Sequence, residues 1–330
     1  MKRPLLLPSV PLYWLGVQGK NALYNLGWLR VKRLEWPVLS VGSLSVGGAG
    51  KTPVVFMLAE LLARRGVAVD VLSRGYGRVA GSVEQVDASG NAARFGDEPL
   101  ELARRGVTVF VGAERWEAGK FAESGTHLTP DGAAIERGHP VVHVLDDGFQ
   151  HRRLGRDLDL VLLTVEDWRD CLLPGGNLRE PLASLRRADV VVVREDEAAA
   201  LAGVIAARSK AETWVIRREL VLQDDRPGRL FAFCGLARPT GFFGMLPAVA
   251  GSKAFSDHHA YADADFAGLV EAAKAAGANG FVTSAKDAVK ISPAARQRLE
   301  AVGPLVVAEL RVSLVDEAAA WERLESIVRR

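Results

Sequence analysis

The chain has 330 residues, 48% of them hydrophobic and 25% charged, which places it among globular proteins and argues against a disordered chain. A formal net charge of +2, with no basic stripe interleaved with aromatics in the body of the chain, argues against nucleic acid as a partner. The two cysteines, Cys171 and Cys234, lack CxxC or metal-ligand spacing and read as buried thiols of a reducing compartment.

No acidic residue precedes Glu35, whereas Lys2, Arg3, Lys20, Arg30, Lys32 and Arg33 all do. Between them runs an expected helix, Tyr13 to Leu29, with Leu12, Leu15, Ala22, Leu23 and Leu26 at helical spacing and Trp14, Tyr24 and Trp28 nearby. Such a segment fits an anionic membrane surface, and it equally fits a core-packed helix with its basic face in water. Pro4, Pro8 and Pro11 break the apolar run after Arg3, so no stretch is long and apolar enough to span a bilayer. No small-x-small cleavage site follows, which argues against a signal peptide.

The strongest signal is Val38 to Leu62. An apolar strand, Val38 to Val41, enters a glycine-rich turn and then the helical run Pro53 to Arg65. Strand, glycine loop, Lys-Thr and helix make a phosphate-cradling P-loop. The N–H groups of Val46, Gly47, Gly48, Ala49 and Gly50 would converge on phosphate oxygens, helped by the helix N-terminus. Lys51 would reach the outer phosphates and Thr52 would place its hydroxyl on a magnesium ion. Pro53 falls in the first helical turn, where a missing N–H costs little. Ser45 stands where the strict motif has glycine.

Val67 to Leu72 reads as a strand followed by a binding loop, Ser73 to Arg78, that carries Arg74 and Tyr76 at a strand's C-terminal end. After a β-like patch at Ser82 to Val86, Asp97 stands where a helix N-cap is expected. A carboxylate beside a phosphate site could also be a base, and the residues leave both roles open. Val107 to Val111 is a strand, and a helix from about Ala113 carries Arg115. Ser124 to Pro140 reads as a surface loop or irregular crossover.

Val141 to Leu145 is a strand closed by Asp146 and Asp147, the position from which a P-loop protein holds magnesium. His151 follows on the same rim. Leu158 to Leu163 and Val190 to Val193 read as buried parallel strands. Between them a Pro/Gly-framed loop, Leu173 to Pro181, carries the charged pair Arg179 and Glu180.

The pattern to this point predicts an α/β, P-loop NTPase-type three-layer sandwich with a mostly parallel sheet. Thr213 to Leu222 reads as a ribbon. A smaller α/β unit follows, with strands at 230–234, 280–283 and 304–308, helices at 238–245 and 265–276, and a final helix from Val315. The expected division is 1–34, 35–224 and 225–330. Within the last unit, Asp257-His258-His259 is a polar loop, a weak metal site, or a histidine that orients a carboxylate. Lys286 enters a helix where it can meet an anion.

The motifs VGSLSVGGAGKTPVV, LSRGYGR, FGDEP, VLDDGFQHRRL, LPGGNLREP, CGLARPTGFF, DHHAY and TSAKDAVK occur in this order over nearly the whole chain. The chain thereby resembles the tetraacyldisaccharide 4'-kinase family of Gram-negative bacteria. The family also carries a Ser/Thr-type residue at position 45, and LPGGNLREP reads slightly differently from its commoner LP-x-G-x-LRE form.

The resemblance implies ATP- and Mg2+-dependent phosphorylation of the 4'-hydroxyl of a tetraacyldisaccharide 1-phosphate, giving lipid IVA. It implies a peripheral protein, monomeric, on the cytoplasmic face of the inner membrane, with its N-terminal helix against the anionic membrane surface. It further implies Asp97 as the base paired with His258, and Lys51 as a catalytic P-loop lysine. Thr52, Asp146, Asp147 and Glu180 are implied at the metal, and Arg74, Tyr76, Arg115 and His151 at the substrate. Two other classes compete: a membrane-associated ATPase or a GTPase, each with a protein partner. The guanine-reading N/T-K-x-D sequence is absent, and the DHHAY loop argues against a plain ATPase.

Overall fold

The computed structural model describes residues 3–76, 78, 81–125, 140–222, 228–257 and 259–329. A 3-10 turn, Pro4–Ser9, leads into α1 (Val10–Asn25). The helix starts three residues earlier than expected because Pro11 sits in its first turn, where proline is tolerated. It ends four residues early because Gly27 takes a left-handed φ of 74°. The Gly27 N–H bonds the Tyr24 carbonyl and the Trp28 N–H bonds that of Leu23, which closes the last turn.

The strands are β1 (Val38–Ser43), β2 (Ala68–Ser73), β3 (Glu84–Gln85), β4 (Thr108–Val111), β5 (Val141–Asp146) and β6 (Leu158–Leu162). They continue with β7 (Val190–Arg194), β8 (Glu212–Val221), β9 (Leu230–Cys234), β10 (Gly251–Ala254), β11 (Gly280–Ser284) and β12 (Leu305–Leu314). After α1 the helices are α2 (Lys51–Arg64), α3 (Ala92–Phe95), α4 (Asp97–Arg104), α5 (Arg115–Ser124) and α6 (Val165–Trp168). Then come α7 (Ala198–Ala206), α8 (Pro239–Met245), α9 (Asp263–Ala275), α10 (Ala285–Ala288), α11 (Pro293–Glu300) and α12 (Glu317–Val328).

The twelve strands of the described residues join one sheet in the order β10-β9-β11-β12-β8-β7-β6-β1-β5-β2-β4-β3. From β8 to β4 the neighbours pair parallel. Antiparallel pairing occurs at β8–β12 and at the β3–β4 edge. One sheet therefore holds strands from both sides of the expected boundary.

β12 explains how. Its first part, Leu305 to Ala308, pairs parallel with β11, and Glu309 to Leu314 pairs with β8. The continuous apolar run ends at Ala308, so the sequence suggests a short strand. Beyond it the residues alternate: Leu310, Val312 and Leu314 join the core, while Glu309, Arg311 and Ser313 are exposed. That period of two suits a strand buried on one face.

Helices cover both faces of the parallel region. Leu39, Val41, Val144, Leu160 and Val192 pack with Val54, Leu58, Leu61 and Leu62 of α2 on one side. Val161, Val191 and Val193 pack with Phe149, Leu185 and Leu201 on the other. Burial on both faces is why these strands read as unbroken Val/Leu runs. The P-loop, Arg74, Arg115 and Asp146 follow or close β1, β2, β4 and β5, so they share the C-terminal edge where such sheets bind ligands.

Candidate active site

The turn from β1 to α2 needs three left-handed glycines: Gly47, Gly48 and Gly50 have φ of 66°, 69° and 85°. At Gly48 a Cβ would also meet the Arg238 side chain at 2.9 Å. Gly50 is the N-cap of α2, so Lys51, Thr52 and Pro53 form its first turn and Ala49 precedes the cap. Val46 differs from expectation. Its N–H already bonds the Asn177 carbonyl at 2.9 Å, which removes it from the donors available to a phosphate.

Lys51 Nζ lies 3.5 Å from Asp147 Oδ1 and 3.4 Å from Ser43 Oγ. Asp147 is gripped by Arg179 through contacts of 2.7 and 2.6 Å. Burial alone would raise the Asp147 carboxyl, but the Arg179 hydrogen bonds and the Lys51 and Arg115 charges hold it down at about 2. Its neighbour behaves oppositely. Asp146 is buried, and burial, then the charges of Glu98 and Asp147, push its carboxyl up to about 7 against the pull of Lys51 and Arg115.

Arg115 opens α5 with its guanidinium buried beside these acids; burial lowers its pKa, and Asp146 and Asp147 oppose that. His151 is brought down to about 4, first by burial and then by the Arg115 charge, so its ring is neutral. Arg74 is exposed but close enough to act on Arg115, and Tyr76 is exposed on the same loop. Four buried atoms here have no hydrogen-bond partner among the described residues: Asp146 Oδ1, Arg115 Nε, Arg179 Nε and His151 Nε2. Each such atom costs about 1–3 kcal/mol, and a cluster of them marks a place built for a ligand.

Asp97 is not the helix cap. Gly96, with φ of 91°, holds that position, and Asp97 is the first residue of α4. Its carboxylate instead faces Lys290 Nζ at 3.2 Å. His258 lies outside the described residues. His259 is turned to Asp265 at 2.9 Å and stacks on Phe255.

Glu180, expected at the metal, is engaged by α1 and by Arg187 in this structure. Both its oxygens accept from Arg187 Nη2 at 2.9 Å, and Oε2 also accepts from Asn21 at 2.8 Å. It ties α1 to the body of the fold, while its neighbour Arg179 faces the P-loop. Arg238 and Lys290 are site-side residues that local sequence reasoning did not single out, and Arg179 stands there only as half of a charged pair with no role given. Their roles come from contacts across the fold, and the only sequence signal is their place within LPGGNLREP, CGLARPTGFF and TSAKDAVK.

A cavity of about 290 Å³ opens beside the P-loop. Its lining includes Gly48, Lys51 and Thr52 of the P-loop with Arg238, Phe242 and Lys286. Arg238 is held there by Glu166 at 2.7 Å and by Asp167 at 3.5 Å. The cavity thus joins a cationic phosphate cradle to a partly apolar recess.

Comparison with known proteins agrees over the full length. The sequence profile of the tetraacyldisaccharide-1-P 4'-kinase family matches residues 2–329. A tetraacyldisaccharide 4'-kinase of Koribacter versatilis is 37% identical, with 98% of each chain covered. One from Geobacter metallireducens is 38% identical, with 93% of each covered. The crystal structure of LpxK from Aquifex aeolicus in complex with ATP superposes with a TM-score of 0.75 at 31% identity, covering 98% of this chain and 99% of that one. With a P-loop, an acidic strand end and a whole-chain profile match in register, the chain belongs to the tetraacyldisaccharide 4'-kinase family.

Proposed function

We propose that this protein transfers the γ-phosphoryl group of ATP to the 4'-hydroxyl of a tetraacyldisaccharide 1-phosphate, forming lipid IVA for lipid A biosynthesis. The observation that carries this reading is a kinase family match over residues 2–329, laid on a P-loop whose Lys51 faces the acidic end of β5.

Phosphoryl transfer asks mainly for positioning and charge neutralisation. Lys51 and the N–H groups of Gly47 to Thr52 meet the phosphates. Asp97, paired with His258, accepts the proton of the sugar hydroxyl. Arg74, Tyr76, Arg115 and His151 line the acceptor side, where the neutral His151 can donate or accept a hydrogen bond. Magnesium fits the residues present, because Asp146 Oδ1 is buried without a partner among the described residues and Thr52 sits in the first turn of α2. Thr52 and Asp146 would hold it, with Asp147 beside them, and when bound it neutralises charge on the phosphate oxygens.

The unit 225–330 closes over the cavity and excludes water. The N-terminal unit rests on the anionic cytoplasmic face of the inner membrane of a Gram-negative bacterium. There the acyl chains stay in the bilayer while the sugar head enters the site, and the protein works as a monomer.

The test is transfer from γ-labelled ATP to the tetraacyl acceptor in detergent micelles, with wild type beside Lys51→Ala and Asp97→Ala. A magnesium-dependent labelled lipid from wild type alone supports the reading. ATP hydrolysis equally fast without acceptor would replace it with an ATPase, and a preference for GTP with a GTPase.

A further inference from the structure

Two lysines, Lys286 in α10 and Lys290 just past its end, reach two consecutive acids on α4. Lys290 Nζ lies 3.2 Å from Asp97 Oδ2, and Lys286 Nζ lies 3.4 Å from Glu98 Oε1. The second pair is separated by 188 residues of sequence. The lysines follow β11 and the acids open α4, so the contacts join the C-terminal unit to the P-loop core.

The Lys290 side chain is only 8% exposed. Its other side faces Asp287 Oδ1 at 3.4 Å, and Asp287 is fully buried. Asp287 is itself fixed, because its Oδ2 accepts from the Ser284 hydroxyl at 2.6 Å and the Gly235 N–H at 3.0 Å. The Tyr261 ring packs 5.9 Å from the ammonium. One acid of this carboxylate–ammonium–carboxylate row is anchored inside its own unit, and the other is Asp97. Stability alone does not call for such a row, since a buried ion pair is about neutral against well-packed apolar residues.

We propose that Lys290 is a positioning residue for the phosphoryl transfer: fixed by Asp287, its ammonium holds the Asp97 carboxylate charged and in place for the acceptor hydroxyl. This rests on the reading of Asp97 as the base. In the step itself the hydroxyl oxygen bonds the γ-phosphorus and the bond from that phosphorus to the β–γ bridging oxygen breaks. ADP departs with that electron pair, and the hydroxyl proton passes to Asp97 and then to water. Lys290 stays paired with Asp287 throughout. Docking of the C-terminal unit on α4 thereby completes the base.

The charges facing Asp97 set the sign of the test. Lys286 in α10 and Lys290 just past its end face it, and Glu98 lies beside it on α4. Asp287 and Asp257 act through the lysines. An adjacent ammonium favours the charged carboxylate, so its removal raises the pH at which Asp97 protonates.

The experiment is the pH profile of kcat/KM for the lipid acceptor with the full chain, comparing wild type, Lys290→Met, Lys290→Arg, Asp287→Asn and Asp97→Asn. Lys290→Met should move the acid limb up by about one pH unit or more, with ATP KM little changed. Lys290→Arg should restore the limb. Asp287→Asn frees the ammonium to act on Asp97 more strongly and should move the limb down, which keeps the test alive if Lys290→Met does not fold. A uniform loss at every pH, with the limb in place, makes Lys290 merely structural and overturns the proposal. An Asp97→Asn protein that keeps its activity overturns the base assignment itself.

Discussion

Arg179 grips Asp147 through two parallel contacts of 2.7 and 2.6 Å, while Lys51 stands further off at 3.5 Å. Among the described residues Asp147 is the non-glycine with positive φ, at 54°. Holding such a backbone costs on the order of 1 kcal/mol, and a bidentate charged pair offsets it. The result is a carboxylate satisfied by arginine, which leaves the P-loop lysine available to a phosphate. The arginine is in turn set by its own backbone, whose N–H bonds the Leu44 carbonyl at 2.6 Å and whose carbonyl accepts from the Tyr13 hydroxyl at 3.0 Å.

Arg179→Ala should therefore weaken ATP binding. Without the guanidinium, Lys51 closes on Asp147 and must be pulled away by the incoming phosphate. A loss of roughly 10- to 100-fold in ATP affinity is expected from one charged hydrogen-bonding partner. Arg179→Lys should restore little, because an ammonium cannot reproduce the two-pronged grip. ATP titration of both variants decides this, and wild-type affinity in Arg179→Ala would refute it.

Asp146 gives a stability prediction. Its carboxyl titrates at about 7 because burial and the neighbouring acids disfavour its charge. The unfolded value is about 4, so between these pH values the folded chain binds more protons than the unfolded one. Stability is full below about pH 4, is lost as pH rises towards 7, and stays at the lower level above. Asp146→Asn removes that loss. Its gain over wild type should be small at pH 4 and largest at pH 8, on the order of a few kcal/mol without nucleotide or magnesium, at the expense of activity. Thermal melts at the two pH values test it, and an equal difference at both would exclude charge burial as the cause.

What the sequence disclosed and what it hid follow one physical line. The P-loop and the acidic end of β5 are local, each set by a few consecutive residues, and were legible. So were the buried parallel strands, because two-faced burial demands unbroken apolar runs. The Val46 N–H is taken by Asn177, a partner in another loop that no local pattern announces. Asp97 looked like a cap because aspartate often is one, yet Gly96 before it serves that position. The Asp97–Lys290 contact and the extension of β12 are set by tertiary pairing alone.

Glu180 is separated from Asn21 by 159 residues, and their hydrogen bond ties it to α1. Glu180→Ala leaves the largely buried Arg187 without its carboxylate, a loss of about 3 kcal/mol or more. The melting temperature should fall, while magnesium dependence of the remaining activity stays as in wild type. A normal melting temperature with a raised magnesium requirement would return Glu180 to the metal.

The N-terminal unit divides its apolar residues in two. Val10 and Tyr13 pack on the core, whereas Leu5, Leu12 and Trp28 are 94%, 74% and 75% exposed. These exposed side chains share their segment with Arg3, Lys20, Arg30 and Arg33, and an anionic bilayer would offer contacts to both kinds. Deleting the unit would also uncover core, so the sharper variant is Leu5→Ser, Leu12→Ser and Trp28→Ser together. These side chains contribute little to folding, yet each would bury apolar area worth roughly 1 kcal/mol or more in a membrane. Binding to anionic vesicles should fall about 100-fold at unchanged melting temperature. Raised salt should weaken wild type and variant alike, because the basic residues act through screened charge. Equal vesicle binding by both proteins would leave α1 as a helix that serves the core alone.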